Sequence, residues 1–204
     1  MKIILQLVLC CWLFLPVAFI TTLSAADENA KVARAIFAGG CFWCVEHLFD
    51  SINGVTSTIS GYTGGHKVNP KYKEVSSGST GHTEAVEVLF DPQKVSYDEL
   101  LRIFWVNIDP TTANRQFCDY GAQYRSGIYY FNEEQKKQAL ISRDRIIKTK
   151  SFAAPILTEI TKAGKFYPAE DHHQNYHNTH PYQYKFYRFN CGRDKRLKEL
   201  WGSK

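Results

Sequence analysis

Among the six cysteines of the chain, one stands where a thiol could act as a nucleophile. Cys41 follows Gly39 and Gly40 and precedes Phe42, Trp43 and Cys44. The apolar run 33–38 reads as a buried strand. After the glycines, Phe42, Val45, Leu48, Phe49 and Ile52 recur at helical spacing as far as Gly54. Cys41 is therefore expected at a strand-to-helix turn, where free backbone N–H groups and the helix dipole favour an anion. The expected consequence is a lowered thiol pKa and a stronger nucleophile at neutral pH. The glycines allow a sharp turn and leave room for a substrate. A disulfide across Cys41 and Cys44 would constrain little chain, so the pair marks redox chemistry rather than a structural bond.

A second cluster could hold a metal. Asp171, His172, His173, His177 and His180 lie close in sequence, and His173 and His177 have the spacing of two zinc ligands on one helix face. A zinc-binding module and a general thiol–disulfide oxidoreductase using Cys41 and Cys44 are the two alternative readings of these residues. Basic and acidic residues interleave, and the net charge is only +5. A nucleic-acid binder would concentrate its basic residues in a stripe. No phosphate-binding loop occurs, and the thiol chemistry needs no organic cofactor.

The elements that would carry these residues alternate. Strands are expected at 33–38, 56–60, 84–90, 126–131 and 156–161. Helices are expected from Cys41, from a cap at Ser96 through Phe104, and over 133–148 with Asn132 as cap. A short helix is expected within 168–180, and the tail from Tyr182 is aromatic and basic. The stretch 109–123 has no clear period, and its length suggests function. The chain is 44% hydrophobic and 22% charged, which is ordinary globular composition and fits a single domain. The expected class is α+β, a two-layer α/β sandwich with a mixed sheet and a ferredoxin-like core.

The first 26 residues differ from the rest. Lys2, an apolar run over 3–20 and the small residues Ser24 and Ala26 read as a secretory signal peptide, with Asp27 opening the mature chain. An uncleaved membrane anchor at 3–20 is the rival reading. Either way the catalytic part, 33–201, is exported, to a periplasmic or extracellular and oxidising compartment. Outside that segment the cysteines are Cys41, Cys44, Cys118 and Cys191.

The run Gly39-Gly40-Cys41-Phe42-Trp43-Cys44-Val45-Glu46 resembles the active-site segment of A-type peptide-methionine sulfoxide reductases. Ser60-Gly61-Tyr62-Thr63-Gly64-Gly65, Gly81-His82-Thr83-Glu84-Ala85-Val86 and Asp119-Tyr120-Gly121-Ala122-Gln123-Tyr124-Arg125-Ser126 resemble further segments, in the family's order. The likeness spans about residues 33–201. Several ordered motifs are specific where one alone would be weak. The resemblance implies that Cys41 attacks the sulfur of methionine S-sulfoxide, free or in proteins, while Glu84 protonates its oxygen. It implies that Tyr62 and Tyr124 donate to that oxygen, that Phe42 and Trp43 cradle the methyl group, and that Asp119 orders the polar network. A Cys41 sulfenic acid then condenses with a resolving cysteine, and thioredoxin or a similar dithiol resets the enzyme. The family segment matching 168–174 has no metal role, so no metal is expected, and the protein is expected to be a monomer. Many relatives have Gly at the position of Cys44 and use tail cysteines. Here Cys44 and Cys191 are both candidates to resolve, with Cys44 expected first and Cys118 expected to be a buried structural thiol.

Overall fold

The computed structural model describes residues 32–202. The expected signal segment lies outside the described residues. Strand β1 (Ala33–Gly39) leads through a turn into helix α1 (Phe42–Asp50), and β2 (Val55–Thr63) returns beside it. A five-residue helix α2 (Tyr72–Ser76) precedes β3 (Thr83–Phe90) and helix α3 (Tyr97–Trp105). A small hairpin of β4 (Arg115–Gln116) and β5 (Asp119–Tyr120) comes before β6 (Ser126–Tyr130), α4 (Glu133–Thr149), β7 (Glu159–Lys162) and β8 (Tyr167–Pro168). The chain closes on α5 (Tyr176–Thr179), α6 (Pro181–Asn190) and α7 (Arg193–Trp201).

The main sheet has six strands in the order β7-β6-β1-β3-β2-β8. Among the described residues only β6 and β7 pair in parallel, so the sheet is mixed. Its centre, β6-β1-β3-β2, is antiparallel with α1 and α3 as crossovers, the ferredoxin-like arrangement expected for the class.

Strand β1 shows why the fold holds. Its side chains alternate between faces. Ala35 and Phe37 join the larger core, where Phe37 stacks on Phe49 of α1 and Phe104 of α3 at ring separations of 4.9 and 5.1 Å. Ile36 and Ala38 pack on the other face with Ala85 and Tyr129. Both faces are covered, which fits a run without polar residues over 35–38. The two expected caps form: Ser96 accepts from the Glu99 N–H at 3.1 Å, and Asn132 accepts from the Gln135 N–H at 2.9 Å.

Elsewhere the structure departs from the sequence reading. Strand β7 starts at Glu159, three residues after the expected start at Ile156. Strand β2 runs on through Gly61 and Tyr62 to Thr63, past the expected end at residue 60. A Cβ on Gly61 would lie 2.4 Å from the Phe166 ring and 2.5 Å from the Tyr167 carbonyl, so the glycine serves close approach of β8 and does not end the strand. The tail from Tyr182 is two helices, α6 and α7, anchored by buried Tyr184, Leu197 and Leu200.

Candidate active site

The turn between β1 and α1 sets the geometry. Gly40 has φ +84°, and a Cβ there would lie 2.6 Å from Cβ of buried Gln116. Only glycine fits both the dihedral and the space. Cys41 follows and is 7% exposed, and Cys44, one turn on, is 3% exposed. The two thiols are hydrogen-bonded to each other and both are free of disulfides.

Cys41 lines a hollow of about 70 Å³ together with Phe42, Trp43, Tyr72, Glu84, Asp119, Tyr124 and Tyr187. These residues come from α1, α2, β3, β5, the turn after β5 and α6. Glu84 is 2% exposed and accepts the Phe42 N–H at 3.0 Å. Burial pushes its carboxyl up to about 8, with Asp119 adding to the shift and the Phe42 N–H opposing it. A carboxyl in that range is mostly protonated at neutral pH and can donate. Asp119 accepts from the Tyr187 hydroxyl at 2.6 Å and from the Cys41 N–H. Its carboxyl is raised by burial. Trp43 is held by stacking on Tyr176 at 3.8 Å.

Three sequence expectations need correction. The first concerns Cys41, whose thiol is pushed up, not down, by burial and by the nearby Cys44, Glu84 and Asp119. The N–H groups at the start of α1 were expected to favour a thiolate. Those of Cys41 and Phe42 point instead at the carboxyls of Asp119 and Glu84. Its partner Cys44 shifts the other way, to about 6, through the hydrogen bond from Cys41 and the charges of Arg193 and Arg188, against burial. The hydrogen bond thus favours the thiol form of Cys41 and the thiolate form of Cys44.

The second correction concerns Tyr62. It is fully buried in β2, and its hydroxyl donates to Glu170 at 2.9 Å, away from the hollow. Of the two other tyrosines that line the hollow beside Tyr124, Tyr187 gives its hydroxyl to Asp119, which leaves Tyr72. The other oxygen of Glu170 accepts the Tyr72 N–H at 3.0 Å, so Tyr62 supports the segment that presents Tyr72. Burial pushes the Tyr72 hydroxyl up to about 12 and that of Tyr124 higher still, so both are donors at neutral pH.

The third correction concerns the remaining cysteines. Cys118 is exposed, not buried, and is joined to Cys191 in a disulfide. Cys191 closes α6 and Cys118 adjoins β5, so the bond ties the C-terminal helices to the small hairpin. Cys191 is therefore not free to meet Cys41 in this state. The long stretch without periodicity, 109–123, turns out to carry this hairpin, Gln116 under the glycine turn and Asp119 in the hollow.

The histidines do not sit as the zinc reading requires. His173 ends a 3-10 turn and His177 lies in α5, separated by Asn175 at φ +51°. His173 packs on Phe42 and Tyr72, at ring separations of 5.2 and 4.3 Å. His177 lies 3.2 Å from Asp50. Among the described residues, the grouping close enough to ligate a metal is Cys118, Asp119 and Cys191, and its sulfurs are already bonded to each other.

A paired thiol facing a proton-donating carboxyl across a small aromatic hollow defines a thiol-based oxidoreductase, and the six-stranded α+β sheet narrows its kind. The model of one family, "Peptide methionine sulfoxide reductase", matches residues 33–204. Peptide methionine sulfoxide reductase MsrA of Bacillus licheniformis is 48% identical over 174 residues, covering 85% of this chain and 96% of the relative. MsrA of Bacillus subtilis is 47% identical over 176 residues, covering 86% and 99%. The reduced-form crystal structure of Mxr1 from Saccharomyces cerevisiae superposes with a TM-score of 0.71 at 30% identity, over 76% of this chain and 89% of that one. Methionine sulfoxide reductase A of Corynebacterium diphtheriae gives a TM-score of 0.66 at 35% identity, over 74% and 76%. The chain belongs to the peptide methionine sulfoxide reductase family and is an oxidoreductase that reduces methionine sulfoxide.

Proposed function

We propose that Cys41 is the nucleophile toward the S epimer of methionine sulfoxide, free or within proteins, and Glu84 the general acid. The observation that carries this reading is the buried carboxyl of Glu84, held protonated at neutral pH in the hollow that Cys41 lines. The substrate sulfur is electrophilic, and its oxygen leaves only when protonated. Cys41 passes its proton along the hydrogen bond to Cys44 as its sulfur attacks. Glu84 protonates the sulfoxide oxygen, and Tyr72 and Tyr124 stabilise the developing charge. The hydroxyl then passes to the Cys41 sulfur: the bond between the two sulfurs and the S–O bond of the substrate break, methionine leaves and Cys41 becomes a sulfenic acid. Phe42 and Trp43 form the apolar wall against which the methyl group rests, and Asp119 holds Tyr187 beside it.

Cys44 then attacks the Cys41 sulfur. The S–S bond forms, the S–O bond breaks and water departs. Two electrons from a thioredoxin-like dithiol reduce the disulfide, and Glu84 takes a proton back from solvent. The enzyme works as a monomer in an exported compartment, because one chain supplies the whole hollow and residues 1–26 read as a signal. Incubation with each sulfoxide epimer and dithiothreitol tests the reading. Methionine is expected from the S epimer alone. Equal rates on both epimers, or insulin disulfide reduction without methionine formation, would overturn it.

A further inference from the structure

Cys44 opens onto a different cavity from Cys41. This cleft of about 180 Å³ is lined by Cys44, His47, Leu48, Ser51, Asn107, Arg188 and Arg193, and it shares no residue with the hollow at Cys41. Two guanidinium groups face it, and they are not equivalent. Arg188 is engaged by Asp194 through both Nε and a terminal nitrogen, so its charge is already answered. Arg193 is 3% exposed. Its hydrogen bonds go to two backbone carbonyls, Gly39 at 3.2 Å and Asn107 at 2.8 Å, and its guanidinium lies 4.3 Å over the Phe117 ring. Among the described residues it makes no ion pair. A buried guanidinium is costly unless an anion shares its surroundings, and two groups could supply one: Asp119, whose carboxyl Arg193 lowers, and Cys44.

We propose that Arg193 is a positioning residue for the resolving step: with the Cys41 hydrogen bond, it is the fixed counter-charge that Cys44 faces across their shared cleft. The inference rests on the reading of Cys44 as the resolving cysteine. The fold holds the charge from two directions. The bond to the Gly39 carbonyl ties the guanidinium to the turn that carries Cys41. The Cys118–Cys191 disulfide fixes the chain two residues before Arg193, and Gly192 at φ +66° turns α6 into α7 between them. The other groups that bear on Cys44 are Cys41 and His47 of α1, Glu84 of β3, Tyr184, Tyr187 and Arg188 of α6. Arg193 and the Asp194-bound Arg188 are the cations among them, with His47 held toward its neutral form by burial.

The chemistry makes two uses of this charge. A Cys44 thiolate attacks the Cys41 sulfenic acid, forming the S–S bond while hydroxide leaves and is protonated to water. In the reset, the lower-pKa thiol is the better leaving group. The reductant thiolate therefore bonds to Cys41, the Cys41–Cys44 bond breaks, and Cys44 departs as the thiolate beside Arg193. The mixed disulfide then sits on Cys41, and the second reductant thiol releases it.

The test is a single turnover of the reduced enzyme with S-sulfoxide and no added reductant, followed over pH. Methionine release reports attack by Cys41, and loss of free thiols with mass mapping reports the Cys41–Cys44 bond. In the wild type the bond-forming rate should level off with a midpoint below the ordinary thiol value of about 8.5. Arg193→Met should move that midpoint up by about one unit, slowing bond formation a few-fold below it, and should slow methionine release over the same pH range, because Cys44 takes the Cys41 proton only as a thiolate. Above the new midpoint it should lose nothing, because a more basic thiolate is the better nucleophile. Arg193→Lys should restore the wild-type profile. A midpoint untouched by Arg193→Met, or not restored by lysine, would overturn the role of Arg193. A wild-type rate still climbing through about pH 8.5 would overturn it without any variant. A wild-type product lacking the Cys41–Cys44 bond would overturn the reading of Cys44 itself.

Discussion

The hollow at Cys41 and the cleft at Cys44 are lined by different residues, yet their sulfurs share a hydrogen bond across one helical turn. The hollow is aromatic and acidic, and its carboxyls are raised by burial. The cleft is polar and faced by two arginines. One side chain type, placed three residues apart, therefore meets opposite electrostatic conditions. Burial favours the thiol form of Cys41, and the hydrogen bond from Cys41, with the two arginines, favours the thiolate form of Cys44. The lesson is that the C-x-x-C spacing supplies reach, while the surrounding elements assign the roles.

The largest expected effect falls on the hollow. Cys41→Ser should reduce dithiothreitol-driven turnover of the S-sulfoxide by at least about 10⁴-fold, the order seen when a nucleophile is removed. Retained turnover would move the nucleophile to Cys44 and dissolve the contrast.

Glu84→Gln comes next, with a loss of about 10²–10⁴ in single-turnover methionine release. The wild-type rate should also fall as pH rises through about 8, where Glu84 loses its proton, and the variant should lack that limb. The same shift has a cost in stability. Glu84 holds its proton to a higher pH folded than the ordinary value of about 4.3. The folded state is therefore favoured by this group at low pH, and that contribution is lost between about pH 4.3 and about 8. Glu84→Gln should unfold at higher denaturant than the wild type at pH 7. Equal midpoints would show that the carboxyl is not held neutral by burial.

The tyrosines separate the hollow from its support. Tyr72→Phe and Tyr124→Phe should each slow methionine release about tenfold, the value of one transition-state hydrogen bond. Tyr62→Phe should cost at most a few-fold, because its hydroxyl reaches the hollow only through Glu170. The reverse order would return Tyr62 to the site.

The smallest kinetic effect is expected at the staple. Serine at both Cys118 and Cys191 should lower stability by about 2–4 kcal/mol, since the bond closes a loop with a sequence separation of 73. Single-turnover methionine release should stay unchanged. Thioredoxin-driven turnover that collapses in this variant would make the pair a relay instead.

What could be read from the chain depended on how local the cause was. The strand, the glycine turn and α1 are set by neighbouring residues: an apolar run, a positive φ at Gly40 and a helical period. Ser96 and Asn132 announce their helices in the same local way. Tyr72 was missed because its helix has five residues in a polar loop, and Glu170, 98 residues later, fixes its backbone. The helices of the tail are hard to read in the sequence because Tyr182, Phe186 and Phe189 are exposed, which blurs the apolar period of α6. The Cys118–Cys191 pairing and the charge of Arg193 near Cys44 are likewise long-range facts. The direction of the Cys41 shift could not follow from the helix start alone, because the two carboxyls that claim its N–H groups arrive from β3 and β5.

The most direct test of the account is mass mapping of the reduced enzyme after one turnover with S-sulfoxide, with Cys118–Cys191 scored in the same digest. The account predicts one equivalent of methionine, a Cys41–Cys44 bond, and no link between either of these cysteines and the tail. A dominant Cys41–Cys191 bond formed with that methionine would contradict it.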